Sequence, residues 1–540
     1  MTLQPYLDRA SQGGAPETKR PLAAMTDGMQ AYELTVDKFL AHAARWHPTV
    51  EVVSCDIEGE VSRLTYAQVL DRSHRLSGAL KDLGLEQGDV VATLAWNTRP
   101  HMEMWYAAMG VGMVCHTLNP RLTAAQLGSM LEQSQATLLA YGAGLAPLAE
   151  EISALRPGLR LIALDERQPA NSTTLDYEDL VASGVAQTWG GFDERTPAGL
   201  CFTSGTTGAP KGVVYTHRSN YLVTLRSVMA DALGLTRSDT VLVAVPMFHA
   251  NAWGFPFSAP AVGAKLVLPG RVTDGPRLAR LIRQEGVTVT AGVPTVWLGL
   301  VDHVEASDEG VPSLQRIVLG GSGCPESLMN RLENSLGVRV QTSWGMTELS
   351  PTGTLSDPAE AAVASGRGSV GLDMLLTDAE GVVLPDQRNV VGHLKVRGAS
   401  VVNRYLGAPE AAVDAEGWFD TGDLASIDDT GALTIAGRSK DLIKSGGEWI
   451  NPVEIEQFVG ALDAVSLAAV IGRPDAKWGE RPVLVVELRE SVTDADLKAA
   501  IKGRVADWWI PDRIQRVDAM PLAATGKIDK ARLRALYGQD

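Results

Sequence analysis

The stretch Thr203-Ser204-Gly205-Thr206-Thr207-Gly208-Ala209-Pro210-Lys211-Gly212 follows directly on the apolar run 198–202. A short apolar run of this kind reads as a buried strand, so the hydroxyl- and glycine-rich segment leaves a strand end. Phosphate is held by backbone N–H groups that approach closely, which glycine permits, and by hydroxyls that donate to it or touch a metal. Lys211 adds a point charge. The G-x-x-x-x-G-K-[ST] spacing is absent, so this is not a Walker loop. A polar hairpin or linker is the competing reading, and the run of hydroxyls and glycines ending in Lys-Gly argues against it.

Outward from this loop, strand-like runs at 90–95, 137–141, 159–164, 240–245, 265–268, 288–291 and 316–319 alternate with helical patterns. Such alternation predicts an α/β fold: a large N-terminal domain of layered, mostly parallel sheets with helices. Near its start, Val36, Phe39, Leu40, Ala43 and Ala44 share one face of a helix over 36–46, and Thr65 is placed to cap a second helix over 66–83. Residues 1–30 read as a flexible lead-in, with Gly13, Gly14, Pro16 and Pro21 and no apolar period. The N-terminal domain then spans 31–438. The polar junction Gly437-Arg438-Ser439-Lys440-Asp441 marks the boundary. Beyond it, 439–540 reads as a small C-terminal α/β domain with elements at 452–460, 465–471, 483–488 and 494–504, and the polar junction is where a hinge could sit.

Composition limits the partners. Lys+Arg 48 against Asp+Glu 64 gives a net charge of −16. That balance opposes non-specific binding to nucleic acid or to an anionic membrane. No apolar run approaches the roughly 20 residues of a membrane helix, and 1–30 lacks the apolar core of a signal peptide, so stable membrane insertion is not expected. The four cysteines, Cys55, Cys115, Cys201 and Cys324, lack C-x-x-C spacing, which predicts reduced thiols and a cytoplasmic protein.

The loop at 203–212 resembles the signature loop of the adenylate-forming enzymes, which comprise acyl-CoA synthetases, luciferases and the adenylation domains of peptide synthetases. Further segments resemble that family's motifs in order, from about residue 35 to the end. Pro246-Met247-Phe248-His249 with Trp253-Gly254 is similar to its acyl-site segment, and Gly320-Gly321-Ser322-Gly323-Cys324-Pro325 to its adenine-flanking loop. Ser343 precedes Trp344-Gly345-Met346-Thr347-Glu348, which resembles Y-G-x-T-E with Trp for Tyr. Thr421-Gly422-Asp423 resembles the ribose motif, Gly437–Asp441 the hinge and Thr525-Gly526-Lys527 the C-terminal lysine motif.

The resemblance implies that a carboxylic acid and ATP give an acyl-AMP and pyrophosphate, and that the acyl group then passes to coenzyme A. Both reactants are anions, so positioning and charge neutralisation carry the chemistry. Glu348 is a hard oxygen ligand suited to Mg²⁺, and the resemblance adds Thr203 as a second. Asp423 can accept both ribose hydroxyls, Arg438 offers a rigid donor fork on the same region, and Trp344 would stack on adenine, keeping a flat face and losing the tyrosine hydroxyl. Lys527 is implied to bridge the attacking carboxylate and the α-phosphate. The C-terminal domain would then rotate about Lys440 and bring in Lys444-Ser445-Gly446-Gly447-Glu448-Trp449, whose glycines leave room for the pantetheine arm.

Where peptide-synthetase domains need a carboxylate for the substrate's amine, this chain has His249, which disfavours an amino acid. The run 246–254, together with Ala291-Gly292-Val293-Pro294-Thr295-Val296-Trp297, resembles the bacterial medium- and long-chain fatty-acid–CoA ligases, a branch that includes ligases for 3-methylmercaptopropionate. Trp253 would gate the acyl tunnel, with Gly254, Val293, Pro294 and Gly320 in its wall. A medium-chain fatty acid ranks first, a short thioether or branched acid second and an aryl acid third. An acyl-AMP ligase loading a carrier protein, a luciferase-like oxidase and a degenerate binding protein are the competing classes. Relatives also imply a homodimer.

Overall fold

The computed structural model describes residues 29–164, 174–203, 210–307, 309–358, 364–523 and 526–539. Ser204, Gly205, Thr206, Thr207, Gly208 and Ala209 of the glycine-rich loop, Thr525, and most of the lead-in lie outside the described residues. Leu34–Asp540 forms one compact unit.

Its helices start and stop for local reasons. The helix Tyr66–Asp82 is capped by Thr65, whose hydroxyl accepts from the Gln68 N–H while the Gln68 side chain accepts from the Thr65 N–H. This reciprocal capping satisfies two donors that the first turn would otherwise leave without partners. The helix Asp37–Trp46 buries Phe39, Leu40 and Ala43 as its spacing predicts.

Among the described residues there are four sheets. One runs Thr174–Asp176, Arg160–Ala163, Leu138–Tyr141, Val90–Leu94, Val114–Thr117, Pro197–Phe202 and Gly212–Thr216, parallel except for the last pair. The second is nine-stranded. Its parallel centre contains Lys265–Leu268, Thr240–Leu242, Val289–Gly292, Arg316–Leu319 and Arg339–Gly345, and its margins are antiparallel. The buried central strand Val289–Gly292 is apolar or small on both faces, as a parallel strand covered by helices requires, whereas Val114–Thr117 also buries His116, hydrogen-bonded to Ser134.

The third sheet, Leu372–Thr377, Val391–Gly398, Phe419–Ile427 and Leu433–Arg438, is wholly antiparallel. Its strand Phe419–Ile427 alternates buried and more open positions, the pattern of a sheet packed on one face. After Arg438, a sheet built on the long hairpin Val465–Asp475 and Gly479–Leu488 carries Arg513–Val517 as its one parallel addition. The helix expected over 494–504 ends at Ala499. The four cysteines are unpaired, and among the described residues no helix is long and apolar enough to cross a membrane.

Candidate active site

Strand ends from three sheets converge with one C-terminal loop. The strand Pro197–Phe202 delivers Thr203, whose N–H donates to the Lys211 carbonyl at 3.0 Å and closes the base of the glycine-rich loop. The segment 401–406 braces this base. The Leu406 N–H donates to the Gly212 carbonyl at 2.8 Å, and a Cβ on Gly212 would stand 3.0 Å from the Leu406 Cβ. The Lys211 ammonium lies over the Tyr405 ring, 4.9 Å from its centroid.

The same tyrosine reaches the acidic residue of the W-G-M-T-E motif. Its hydroxyl donates to Glu348 Oε1 at 2.9 Å, and the Val402 N–H donates to the Glu348 carbonyl at 2.8 Å. Tyr215 holds the preceding carbonyl, of Thr347, at 2.8 Å. Burial and the Glu348 charge push the Tyr405 phenol well above its usual range, so it remains a donor. Glu348 itself is buried, with Oε2 outside this hydrogen bond. Among the described residues no cluster of three or more His, Cys, Asp or Glu could hold a metal ion. A single oriented carboxylate with a hydroxyl from Thr203 still fits Mg²⁺, which binds through one or two protein oxygens and completes its shell with water and substrate phosphates.

Asp423 lies buried between Trp344 and Arg438. Its strand pairs it across the sheet with Arg438, whose Nε lies 2.7 Å from Asp423 Oδ1, while the Trp344 indole N–H donates to Oδ2 at 2.9 Å. Burial raises the Asp423 carboxyl, and Arg438 and Trp344 oppose that rise. The indole lies against Gly353, where a Cβ would come within 2.6 Å of the ring. Ser343 donates its hydroxyl to the Leu319 carbonyl at 3.0 Å, and Met346 N–H donates to the Pro351 carbonyl at 3.0 Å. Gly345 has no space for a Cβ beside Pro351. Ser322 and Gly323 are exposed, and a Cβ on Gly323 would meet nothing within 4 Å.

Lys527 enters from the C-terminal part of the chain. The Thr295 hydroxyl, in the first turn of the helix Pro294–Ala306, donates to the Gly526 carbonyl at 2.9 Å. Gly526 has φ +82°, and a Cβ there would lie 3.1 Å from Val293 Cγ2; one on Gly321 would lie 3.2 Å from both Val293 Cγ1 and Lys527 Cε. Burial depresses the Lys527 ammonium, Arg438 adds to the depression and Asp423 opposes it. The half-buried His249 imidazole is lowered to about 4 by burial, helped by the Lys527 and Arg121 charges, so it is neutral at pH 7.

The segment 250–254 has an unusual backbone. Ala250, Asn251, Ala252 and Trp253 have φ of 46°, 52°, 49° and 53°, and Gly254 continues at 80°. A left-handed turn costs roughly 1–2 kcal/mol per non-glycine residue, and its neighbours compensate. Asn97 Nδ2 donates to the carbonyls of Val243 and Val245 while its Oδ1 accepts from the Met247 N–H, pinning the strand before the turn. The turn presents the Trp253 indole to Gly320 and Gly321, where added Cβ atoms would stand 3.0 and 3.5 Å from the ring.

Thus Lys527, Asp423, Arg438, Trp344, His249, Trp253, Val293, Gly320 and Gly321 come together. The residues expected to form the hinge and the pantetheine side are not packed among them, although the charges of Asp423 and Arg438 reach Lys440. Lys440 is exposed in the turn Ser439–Asp441, its ammonium lowered chiefly by partial desolvation. Gly446 and Gly447 form the tip of a hairpin with φ of +63° and +92°, and Lys444 pairs across it with the exposed Trp449. Glu448 is exposed, and the Lys444 N–H donates to Glu480 Oε2. Sequence reasoning missed Tyr405 and the part played by Thr295. Tyr405 stands in no motif that marks it, and Thr295 enters only as one residue of the run 291–297 that resembles the fatty-acid–CoA ligases.

Comparison with known proteins gives the family and the fold. The family profile "AMP-binding enzyme" matches residues 39–406, and "AMP-binding enzyme C-terminal domain" matches 454–527. The chain is 40% identical over 534 residues to a medium-chain-fatty-acid–CoA ligase of Ectopseudomonas oleovorans, covering 95% of this chain and 98% of that one. It is also 40% identical to a 3-methylmercaptopropionyl-CoA ligase of Ruegeria pomeroyi, covering 94% and 98%. The crystal structure of an anthranilate CoA ligase with anthranoyl-AMP shares the fold, with TM-score 0.85 at 24% identity over 95% of this chain and 98% of that one. The chain belongs to the AMP-binding enzyme family.

Proposed function

We propose that this AMP-forming acid–CoA ligase, which uses ATP, Mg²⁺ and coenzyme A, acts on an apolar carboxylic acid without an α-amine. A medium-chain fatty acid is the first choice. A short thioether or branched acid such as 3-methylmercaptopropionate is the second, since relatives named for each acid are 40% identical to the chain. An aryl acid ranks third. The observation that carries the reading is the meeting of Lys527 and Asp423 with the neutral His249 and the Trp253 turn.

In the first half-reaction the acid's carboxylate oxygen attacks the α-phosphorus of ATP, and the bond to the bridging oxygen breaks to release pyrophosphate. Asp423 accepts the ribose hydroxyls through lone pairs not taken by Arg438 and Trp344. Lys527 places its charge between the two anions, where a preorganised donor is worth most because water is excluded. Lys211 and the 203–212 loop hold the phosphates. Mg²⁺ at Glu348 and Thr203 would neutralise charge on the departing pyrophosphate. In the second half-reaction the coenzyme A sulfur attacks the acyl carbonyl, and AMP leaves. For that step the region 439–540 turns about Lys440 and presents the Lys444–Trp449 hairpin, so the domain boundary lies at 438/439.

The acid is fixed by incubating enzyme, ATP, Mg²⁺ and coenzyme A with fatty, thioether and aryl acids and identifying thioesters by mass. A medium-chain acyl-CoA is the expected main product; no thioester from any class would reject the reading. A cytoplasmic homodimer completes the proposal, tested by cell fractionation and by mass in solution, where a single monomer species rejects the dimer.

A further inference from the structure

We infer that Trp344 is a positioning residue for the nucleotide's ribose, acting through the hydrogen bond from its indole N–H to Asp423 Oδ2. The inference rests on the proposed reading of Asp423 as the acceptor of the ribose hydroxyls, and it adds to that reading the group that aims the acceptor.

The geometry is specific. Asp423 is almost fully buried, at 2% exposure; the Trp344 indole N–H donates to Oδ2 at 2.9 Å, and the Arg438 guanidinium, whose Nε lies 2.7 Å from Oδ1, forms an ion pair on the other oxygen while its own N–H donates to the Thr421 carbonyl. A directional hydrogen bond on one oxygen, with a cation against the other, restrains the rotation of a carboxylate about its Cβ–Cγ bond, and of the two it is the hydrogen bond from Trp344 that sets the angle. The lone pairs that remain then face one direction as a pair, which is what two vicinal hydroxyls require.

Trp344 is itself held. Its ring lies flat against Gly353, where a side chain would collide with it. Its strand Arg339–Gly345 changes register against Thr352–Leu355 just after Trp344. The ring packs in the cluster that contains Tyr215 and Leu349, beneath the turn that carries Glu348. A tyrosine carries its hydroxyl on the para carbon, whereas the indole N–H leaves from the side of the five-membered ring. The loss of the tyrosine hydroxyl therefore comes with a new donor aimed at a different acceptor.

The test compares ATP with 2′-deoxy-ATP and 3′-deoxy-ATP in ATP–pyrophosphate exchange. Wild type, Trp344→Phe and a variant with 3-benzothienylalanine at position 344, which replaces the N–H by sulfur and keeps the ring's shape, are measured alongside Asp423→Asn. Loss of a hydrogen bond to a buried charge should lower kcat/KM for ATP by about 10-fold in both Trp344 variants. The two deoxynucleotides should change by no more than about 2-fold, so discrimination between ATP and its deoxy forms collapses. The benzothienyl variant keeps the packing, so it gives an answer even if Trp344→Phe does not fold. Equal losses on all three nucleotides, or a benzothienyl variant with wild-type discrimination, would overturn the inference and leave the reading of Asp423 intact. Equal losses in Asp423→Asn would overturn that reading and this inference with it.

Discussion

The Thr295 hydroxyl donates a 2.9 Å hydrogen bond to the carbonyl oxygen of Gly526, the residue next to Lys527. Thr295 opens a helix anchored on the nine-stranded sheet, whereas Gly526 belongs to the C-terminal loop, so one hydroxyl joins the loop to the wall of the proposed acyl site. A neutral hydrogen bond contributes about 1 kcal/mol net, or about 5-fold in a rate that depends on it. Thr295→Val should therefore lower ATP–pyrophosphate exchange by about 5-fold, and Thr295→Ser should restore it. Thioester formation from supplied acyl-adenylate should be unchanged in both variants. A parallel fall in both half-reactions would mean that the contact only stabilises the fold.

Lys527 has a depressed ammonium pKa because burial and Arg438 both disfavour its charge. Replacing it by alanine should cost adenylation about 10²–10³, the scale of one preorganised donor, and spare the thioester step. The sign of the pH dependence follows from the same shift. The charged form is lost as pH rises through a value below the ordinary 10.5 of lysine, so exchange activity should have an alkaline limb there. Lys527→Arg should move that limb beyond the measurable range, because arginine keeps its proton. An unmoved limb would assign it to another group.

Tyr405 joins two groups that the sequence treats as unrelated, with its ring under Lys211 and its hydroxyl on Glu348. Tyr405→Phe keeps the ring and removes the bond to a buried carboxylate. A hydrogen bond to a charge is worth about 1.5–3 kcal/mol, so exchange should fall by at least about 10-fold. Tyr405→Leu should fall further, because Lys211 loses its support as well. If phenylalanine matched wild type in ATP–pyrophosphate exchange at every Mg²⁺ concentration, the hydroxyl would have no part in orienting Glu348.

What could be read from the sequence follows the range of the interactions. The Thr65 cap acts within four residues, from Thr65 to Gln68, and the strand Lys265–Leu268 is a short local run; both lie where the sequence places them. Asp423 and Arg438 were found through motif resemblance, and their ion pair is a matter of strand register. The contact between Tyr405 and Glu348 spans 57 residues and leaves no local trace. The left-handed turn 250–254 was illegible because alanine and tryptophan rarely adopt positive φ; tertiary contacts there override local preference. The antiparallel sheet 372–438 did carry its alternation in the sequence, and the many parallel-type runs before it drew the reading away.

Four histidines remain neutral inside this protein, and His101 gives the clearest expectation. Its Nε2 accepts from the Trp105 indole N–H at 3.0 Å, and Nδ1 lies 2.9 Å from the Trp96 carbonyl, an arrangement the neutral ring satisfies. Protonation would set a second N–H against that of Trp105, and burial already lowers the pKa from 6.5 to about 4. His116 and His217 are lowered further, to about 3, and His249 to about 4, all chiefly by burial. A folded pKa below the unfolded one means that the unfolded chain binds the extra proton between the two values. Stability is therefore untouched above pH 6.5 and is lost as pH falls toward 4. Each histidine contributes a slope of at most about 1.4 kcal/mol per pH unit. The melting temperature should drop steeply between pH 6.5 and 5. His101→Gln should lower it at pH 7.5 through lost packing, yet flatten the acid slope by the share of one proton. Superimposable slopes for the two proteins would show that His101 takes up its proton in the folded state as readily as in the unfolded one.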